Sequence, residues 1–143
     1  MYLNLNIFSL KKTILFSKKI KSICVPGEKG YLSIYINHIP LLTFLNPGLV
    51  IIKKKNKILE YFFILKGILE IQSNTVNILT NKYCINIKYL DKFILINKKN
   101  KIKNIYLKNK NIKFLNKIKK KYYIILEQLK CITKFERIEK IKK

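Results

Sequence analysis

From Ile68 to Lys143 the chain contains no glycine and no proline, whereas all four glycines and all three prolines lie between Pro26 and Gly67. Proline ends or kinks a helix and glycine weakens one, so a stretch free of both permits long helices. Short apolar runs punctuated by both residues read instead as strands joined by tight turns. The chain therefore divides into a front part of strands and a rear part of helices, with the change of character near Lys82. Residues 1–84 are expected to form a β-sandwich domain and residues 85–143 a two-helix domain.

In the front part, β-branched and aromatic runs cover residues 2–9, 13–16, 20–25, 31–36, 41–45, 49–53, 58–65, 68–73 and 76–80. Turn-forming residues separate many of them: Pro26-Gly27-Glu28-Lys29-Gly30, Asn37-His38-Ile39-Pro40, Asn46-Pro47-Gly48, Lys55-Asn56-Lys57, Lys66-Gly67 and Asn74-Thr75. Asn46-Pro47-Gly48 places Pro before Gly, the central pair that a type II turn prefers. Many short strands with regular turn signals indicate an all-β sandwich or barrel. Leu69-Glu70-Ile71-Gln72 and Leu32-Ser33-Ile34 alternate apolar with polar, as half-buried strands do. Aliphatic doublets elsewhere fit strands buried on both faces, and the continuous run Tyr61, Phe62, Phe63 reads as core.

The rear part changes period. Over residues 111–134, Phe114, Ile118, Tyr122, Ile125, Leu129 and Ile132 recur at helical steps and make one apolar stripe, with mostly Lys and Asn opposite. A preceding helix is expected around residues 89–106, although Asn97-Lys98-Lys99-Asn100 has poor helix propensity. The expected architecture is an all-β N-terminal sandwich followed by a C-terminal α-helical hairpin.

Lys and Arg number 31 against 7 for Asp and Glu, a formal charge of +24. Such a charge ordinarily points to a phosphate-bearing partner. Two features argue otherwise. Ile, Lys, Asn, Tyr, Phe and Met supply 90 of the 143 residues while Gly, Ala, Arg and Pro supply 8, a split that follows A/T-rich against G/C-rich codons. The basic residues are also 30 Lys and one Arg, although Arg is the better fork for phosphate and guanine. Most of the charge therefore reads as base bias written on a tolerant surface. On that bias Lys53-Lys54-Lys55 and Lys119-Lys120-Lys121 read as a solvated turn and a solvated helix face. Aromatics would have to interleave with lysines on one strand face to stack bases, and Tyr61, Phe62 and Phe63 sit instead in a continuous apolar strand.

An uncharged run over residues 31–52 is long enough to raise the question of a membrane span, but Asn37, His38, Pro40, Asn46, Pro47 and Gly48 interrupt it. The first ten residues have no basic start and carry Asn4 and Asn6 within their apolar stretch, so no export signal is expected.

Catalytic chemistry has little to be built from. His38 is the single histidine, and Glu28, Glu60, Glu70, Asp91, Glu127, Glu136 and Glu139 form no acid/base pair. The four glycines make no phosphate-cradling loop, and Cys24, Cys84 and Cys131 are too scattered for a zinc site or a disulfide framework. These cysteines read as small buried hydrophobes. No catalytic residue, metal ligand or cofactor is expected, and the chain reads as a non-catalytic protein.

The ordered series Val25-Pro26-Gly27-Glu28-Lys29-Gly30, Ile34, His38-Ile39-Pro40-Leu41-Leu42-Thr43 and Leu45-Asn46-Pro47-Gly48 resembles the epsilon subunit family of F-type ATP synthases. That family reads roughly V-P-G-E-x-G-x-L-x-I-x-x-x-H-x-P-L-L-T-x-L-x-P-G at this spacing. Lys66-Gly67-Ile68-Leu69-Glu70-Ile71 and Val76-Asn77-Ile78-Leu79 continue the likeness, which covers about residues 20–82 without gaps. In the rear part, Gln128-Leu129-Lys130-Cys131-Ile132 resembles a family Q-L-R-V-I. Tyr89-Leu90-Asp91 falls where many members carry the nucleotide-binding L-D-x-x-R-A, but Ile94 and Leu95 stand in place of the Arg and Ala. An aliphatic chain cannot make a guanidinium's phosphate contact, which argues against ATP binding there. Tyr31, where several members have an acid, and Lys66, where Gly is usual, are further departures.

The resemblance implies a β-sandwich with two C-terminal helices and a mechanical role in ATP synthesis. The sandwich would clamp the gamma subunit to the membrane c-ring, as a peripheral part on the cytoplasmic face of the energy-coupling membrane, or the stromal face in a plastid. By family position, His38, Ile39, Pro40, Leu41, Leu42 and Thr43 would belong to a partner-contacting region, with Glu28 and Tyr31 in its neighbourhood. The helical hairpin would contact the alpha and beta subunits if it extends, slowing ATP hydrolysis. The competing reading is a small basic RNA-binding or ribosomal protein. Binding that rests on phosphates should weaken steeply with salt, whereas an interface with an apolar centre should persist.

Overall fold

The structure is a computed structural model that describes residues 1–9, 13–55, 59–81 and 84–141. Two compact units divide the chain, Met1–Ile87 and Lys88–Lys143.

The first unit is a β-sandwich with strands β1 (Leu3–Ser9), β2 (Thr13–Gly27), β3 (Gly30–Tyr35), β4 (Leu41–Leu45), β5 (Gly48–Lys54), β6 (Leu59–Ile64), β7 (Gly67–Gln72), β8 (Thr75–Thr80) and β9 (Cys84–Asn86). One layer runs β1-β8-β7-β4, with β1 and β8 parallel and the other pairs antiparallel. The other layer runs β3-β2-β5-β6-β9 and is antiparallel throughout. Strand β2 serves both layers, because its first part pairs with β1 and its second with β3 and β5. The sequence suggested two strands here, over 13–16 and 20–25; the structure joins them into one. Lys19 takes φ 60 and the β2–β5 register shifts between Ile20 and Ser22, an irregularity that bends the strand without ending it.

Side-chain alternation sets the core. Leu3, Leu5 and Ile7 of β1, Leu69 and Ile71 of β7, and Val76 and Ile78 of β8 point inward and are fully or nearly fully buried. They meet Ile23, Val25, Val50, Ile52, Phe62 and Ile64 from the other layer in one apolar cluster. Strand β6 is buried on both faces: Phe62 and Ile64 join that cluster, while Tyr61 and Phe63 are buried outside it. That agrees with the core reading of Tyr61, Phe62 and Phe63.

Turn geometry follows the residues present. Ser73 and Asn74 take φ 48 and 61 in the two-residue link from β7 to β8, the mirror-image turn that matches strand twist. The type II turn expected at Asn46-Pro47-Gly48 is not formed: Gly30 is the one described glycine with positive φ, and Gly48 instead opens β5. Gly48 is required for space, because a Cβ there would meet Pro26 Cβ and the Tyr31 hydroxyl, each at 2.8 Å. Of the turn expected at residues 55–57, positions 56 and 57 lie outside the described residues, as do position 58 of the expected strand that follows and the Cys84 side chain.

The second unit is a helical hairpin of α1 (Lys92–Lys108) and α2 (Ile112–Ile141). Asp91 caps α1 by accepting a hydrogen bond from the Ile94 amide at 3.1 Å, and Asn111 does the same for the Phe114 amide at 3.3 Å. The first helix runs through Asn97-Lys98-Lys99-Asn100, so helical continuation overrides the poor local propensity. On α2 the buried face holds Ile118, Ile125, Gln128, Cys131 and Ile132. The expected stripe is thus rotated slightly, leaving Phe114 exposed and bringing in Gln128 and Cys131.

Candidate functional site

In the sandwich, Glu28 and Tyr31 lie at the start of β3 and His38, Ile39 and Pro40 beyond its end. Leu41, Leu42 and Thr43 run along β4 back toward Leu45, which pairs with Gly27. Glu28 is exposed in the two-residue loop between β2 and β3, which closes at the Gly27–Gly30 pair. Tyr31 follows on β3, and its hydroxyl accepts a hydrogen bond from the Leu49 amide at 3.1 Å. Tyr31 therefore holds the start of β5 against the β2–β3 loop. Six residues of strand, roughly 20 Å, separate this end from the His38 loop. Glu28 and Tyr31 lie instead toward the far end of β4, where Leu45 pairs with Gly27 and Asn46 N donates to the Pro26 carbonyl at 2.8 Å.

The loop from β3 to β4 is a shaped turn. His38 N donates to the Tyr35 carbonyl at 3.2 Å, and Asn37 takes φ 62, the left-handed position that asparagine tolerates. A second left-handed asparagine, Asn74 of the β7–β8 turn, fixes the loop from outside. Asn37 N donates to Asn74 Oδ1 at 2.6 Å, and Asn74 Nδ2 donates to Asn37 Oδ1 at 3.3 Å. His38 Nδ1 lies 2.8 Å from the Ile39 carbonyl oxygen, to which it donates as the Nδ1–H tautomer. The half-buried imidazole is therefore used to shape the loop. Pro40 is exposed, and Ile39 is 74% exposed.

Strand β4 continues from this loop with alternating faces. Leu41 and Thr43 are half-buried, and Leu41 packs on the core cluster. Leu42 and Phe44 point outward and are 72% and 61% exposed. Register extends that outward face across the layer: Phe44 pairs with Ile68, Ile68 with Leu79, and Leu79 with Phe8. All four are exposed large hydrophobics. They form an apolar row across four adjacent strands, about 14 Å long. The next row is polar beyond Leu42, with Asn77 Nδ2 donating to Glu70 Oε2 at 3.0 Å and Asn6 Nδ2 to Asn77 Oδ1 at 2.8 Å. Contiguous exposed apolar residues on an ordered sheet are a common feature of interaction surfaces.

The sequence reading named Leu42 but missed Phe44, Ile68, Leu79 and Phe8. The signal was available in the alternation of Ile68-Leu69-Glu70-Ile71, where Glu70 must face water and Ile68 shares its face.

Among the described residues, no cluster of His, Cys, Asp or Glu could hold a metal ion, and no helix is long and apolar enough to cross a membrane. On the hairpin, Asp91 is engaged as a helix cap, and Ile94 and Leu95 hold the positions where the resemblance would place Arg and Ala.

Residues 2–84 match the family described as ATP synthase, delta/epsilon chain, beta-sandwich domain. An ATP synthase epsilon chain of Polaromonas naphthalenivorans (strain CJ2) is 37% identical over 79 residues, which is 55% of this chain and 56% of that relative. The match thus spans little more than half the length of that curated relative. Among solved structures, a chain of the Euglena gracilis mitochondrial ATP synthase (OSCP/F1/c-ring, rotational state 1) superposes with a TM-score of 0.72 at 14% identity, covering 92% of this chain and 79% of the other. A chain of the Tetrahymena thermophila mitochondrial ATP synthase (central stalk/c-ring) gives 0.52 at 17% identity, covering 62% and 69%. At these identities the likeness is one of fold, and in the first case it reaches into the helical unit. The RNA-binding alternative finds no support in these comparisons.

Proposed function

Because this chain belongs to the ATP synthase delta/epsilon family, we propose that it is a non-catalytic rotor part, joining the gamma subunit to the membrane c-ring during proton-driven ATP synthesis. The observation that carries this reading is the exposed row Phe8, Leu79, Ile68 and Phe44, with Leu42 beside it. A coupling part needs a stiff body and two grips. The packed sandwich core supplies stiffness, since close-packed interiors transmit strain. The apolar row, together with Ile39 and Pro40, suits permanent burial against gamma. The β2–β3 turn, with Glu28, Lys29 and Tyr31, is polar and suits the polar loops of the c-ring. The two grips differ in chemistry and adjoin where Leu45, next to Phe44, pairs with Gly27.

In this reading the chain sits peripherally on the cytoplasmic face of the energy-coupling membrane, or the stromal face in a plastid, and binds no cofactor. The helical unit is a separable module that meets the alpha and beta subunits when extended. Deleting residues 88–143 tests that role: ATPase activity of the reconstituted head rises if the hairpin is a brake and stays level if it is not.

The direct test of the docking row is reconstitution of stripped membranes with the Phe44→Asp/Ile68→Asp chain. Proton-driven ATP synthesis should fall to the level of membranes lacking the chain, because a carboxylate pair cannot be buried unpaired at an apolar centre. Synthesis equal to the unsubstituted chain would overturn the assignment.

A further inference from the structure

The helical hairpin contains an open cavity of about 480 Å³ between its two helices. Ile102, Tyr106 and Leu107 of α1 face Ile118, Tyr122, Tyr123 and Leu126 of α2 across it, and Lys103 and Lys119 complete the lining. That volume lies in the range of small-molecule sites. The charge around it has one sign. From Lys92 to Leu126 the chain carries twelve lysines and no carboxylate. The hairpin's ion pairs among the described residues, Lys92 with Glu136 and Lys130 with Glu127, use other lysines. Among the described residues, neither Lys103 nor Lys119 has a carboxylate in salt-bridge range, and the Lys119 ammonium rests 5.8 Å from the Tyr106 ring centroid. An apolar slot with two uncompensated cations at its wall complements a ligand with an apolar tail and an anionic head.

We propose that this cavity binds a long-chain carboxylate, with the alkyl tail between Leu107 and Leu126 and the head group against Lys103 and Lys119. Most of the lining is aliphatic and aromatic carbon, with polar atoms confined to the phenols of Tyr106, Tyr122 and Tyr123 and to the two lysines, so an alkyl tail fits it better than a nucleotide does. The site lies within the helical unit, and its occupation would tie α1 to α2 near the tip.

Calorimetric titration of the full chain with laurate tests this, with dodecyltrimethylammonium as the equal-tailed cation. One laurate should bind per chain, more weakly as salt is raised, and the cation should not compete. Lys103→Gln/Lys119→Gln should weaken laurate by about tenfold through loss of two near-surface charge contacts. Leu107→Trp, which fills the slot and leaves the charges in place, should abolish binding. Equal binding of the cation, several laurates per chain, an unchanged affinity in the double variant, or undiminished binding to Leu107→Trp would each overturn the proposal.

Discussion

Gly48 shows how one residue type answers different demands. Its backbone is ordinary strand, but Pro26 and the Tyr31 hydroxyl occupy the place where a Cβ would project. The tyrosine tip could swing aside; the Pro26 ring cannot. Gly48→Ala should therefore destabilise the sandwich by about 1–3 kcal/mol, the usual cost of overpacking, read from denaturant midpoints at unchanged slope. An Asn-Pro-Gly string looks like a turn because turns are where that string is commonest, and nothing local in the sequence reports that Pro26 and Tyr31 arrive from elsewhere. Long-range proximity was the missing information. Cys131 makes a second case. Burial, and next the charge of Glu127, push its thiol from 9.0 up to about 12. Between those values the unfolded chain releases a proton that the folded chain keeps. The stability contribution is whole below about pH 9 and is lost as pH rises toward 12. Chemical denaturation across that range should show the full-length chain losing its advantage over Cys131→Ala as pH climbs, and a constant difference would contradict it.

At the level of elements, alternation and helical period revealed the architecture, because each depends on residues close in sequence. Inward Leu69 and Ile71 beside outward Glu70 announced β7, and the recurrence from Ile118 to Ile132 announced α2. The three-residue β9 carried too little pattern to be read, and the continuity of β2 through Lys19 rests on three partner strands that a local window does not see. The docking row was half legible. Leu42 came from the family motif, whereas Phe8, Phe44, Ile68 and Leu79 become one surface only through the register of four strands. Phe44→Asp/Ile68→Asp sets like charges directly opposite across β4 and β7, so it should cost the fold about 1–2 kcal/mol while removing partner binding. Phe44→Ser, at a position 61% exposed, should instead weaken binding with unfolding changed by about 0.5 kcal/mol or less. A loss of stability from Phe44→Ser as large as that of the double variant would show that the row belongs to the fold and is no interface.

For the whole molecule, the division at Ile87 separates a stiff body from a hairpin with a different surface chemistry. The core cluster lies entirely in the first unit, and the lysine-only span lies entirely in the second. The strong positive charge, which composition alone would send toward nucleic acid, does not decide the matter; the family match over residues 2–84 does. Co-purification of the tagged full chain from its own membranes, at low and then raised salt, tests that most directly. The account predicts that gamma and c subunits come with the chain and that gamma stays through the salt wash. Loss of gamma with salt, or recovery of ribosomal components in its place, would contradict it.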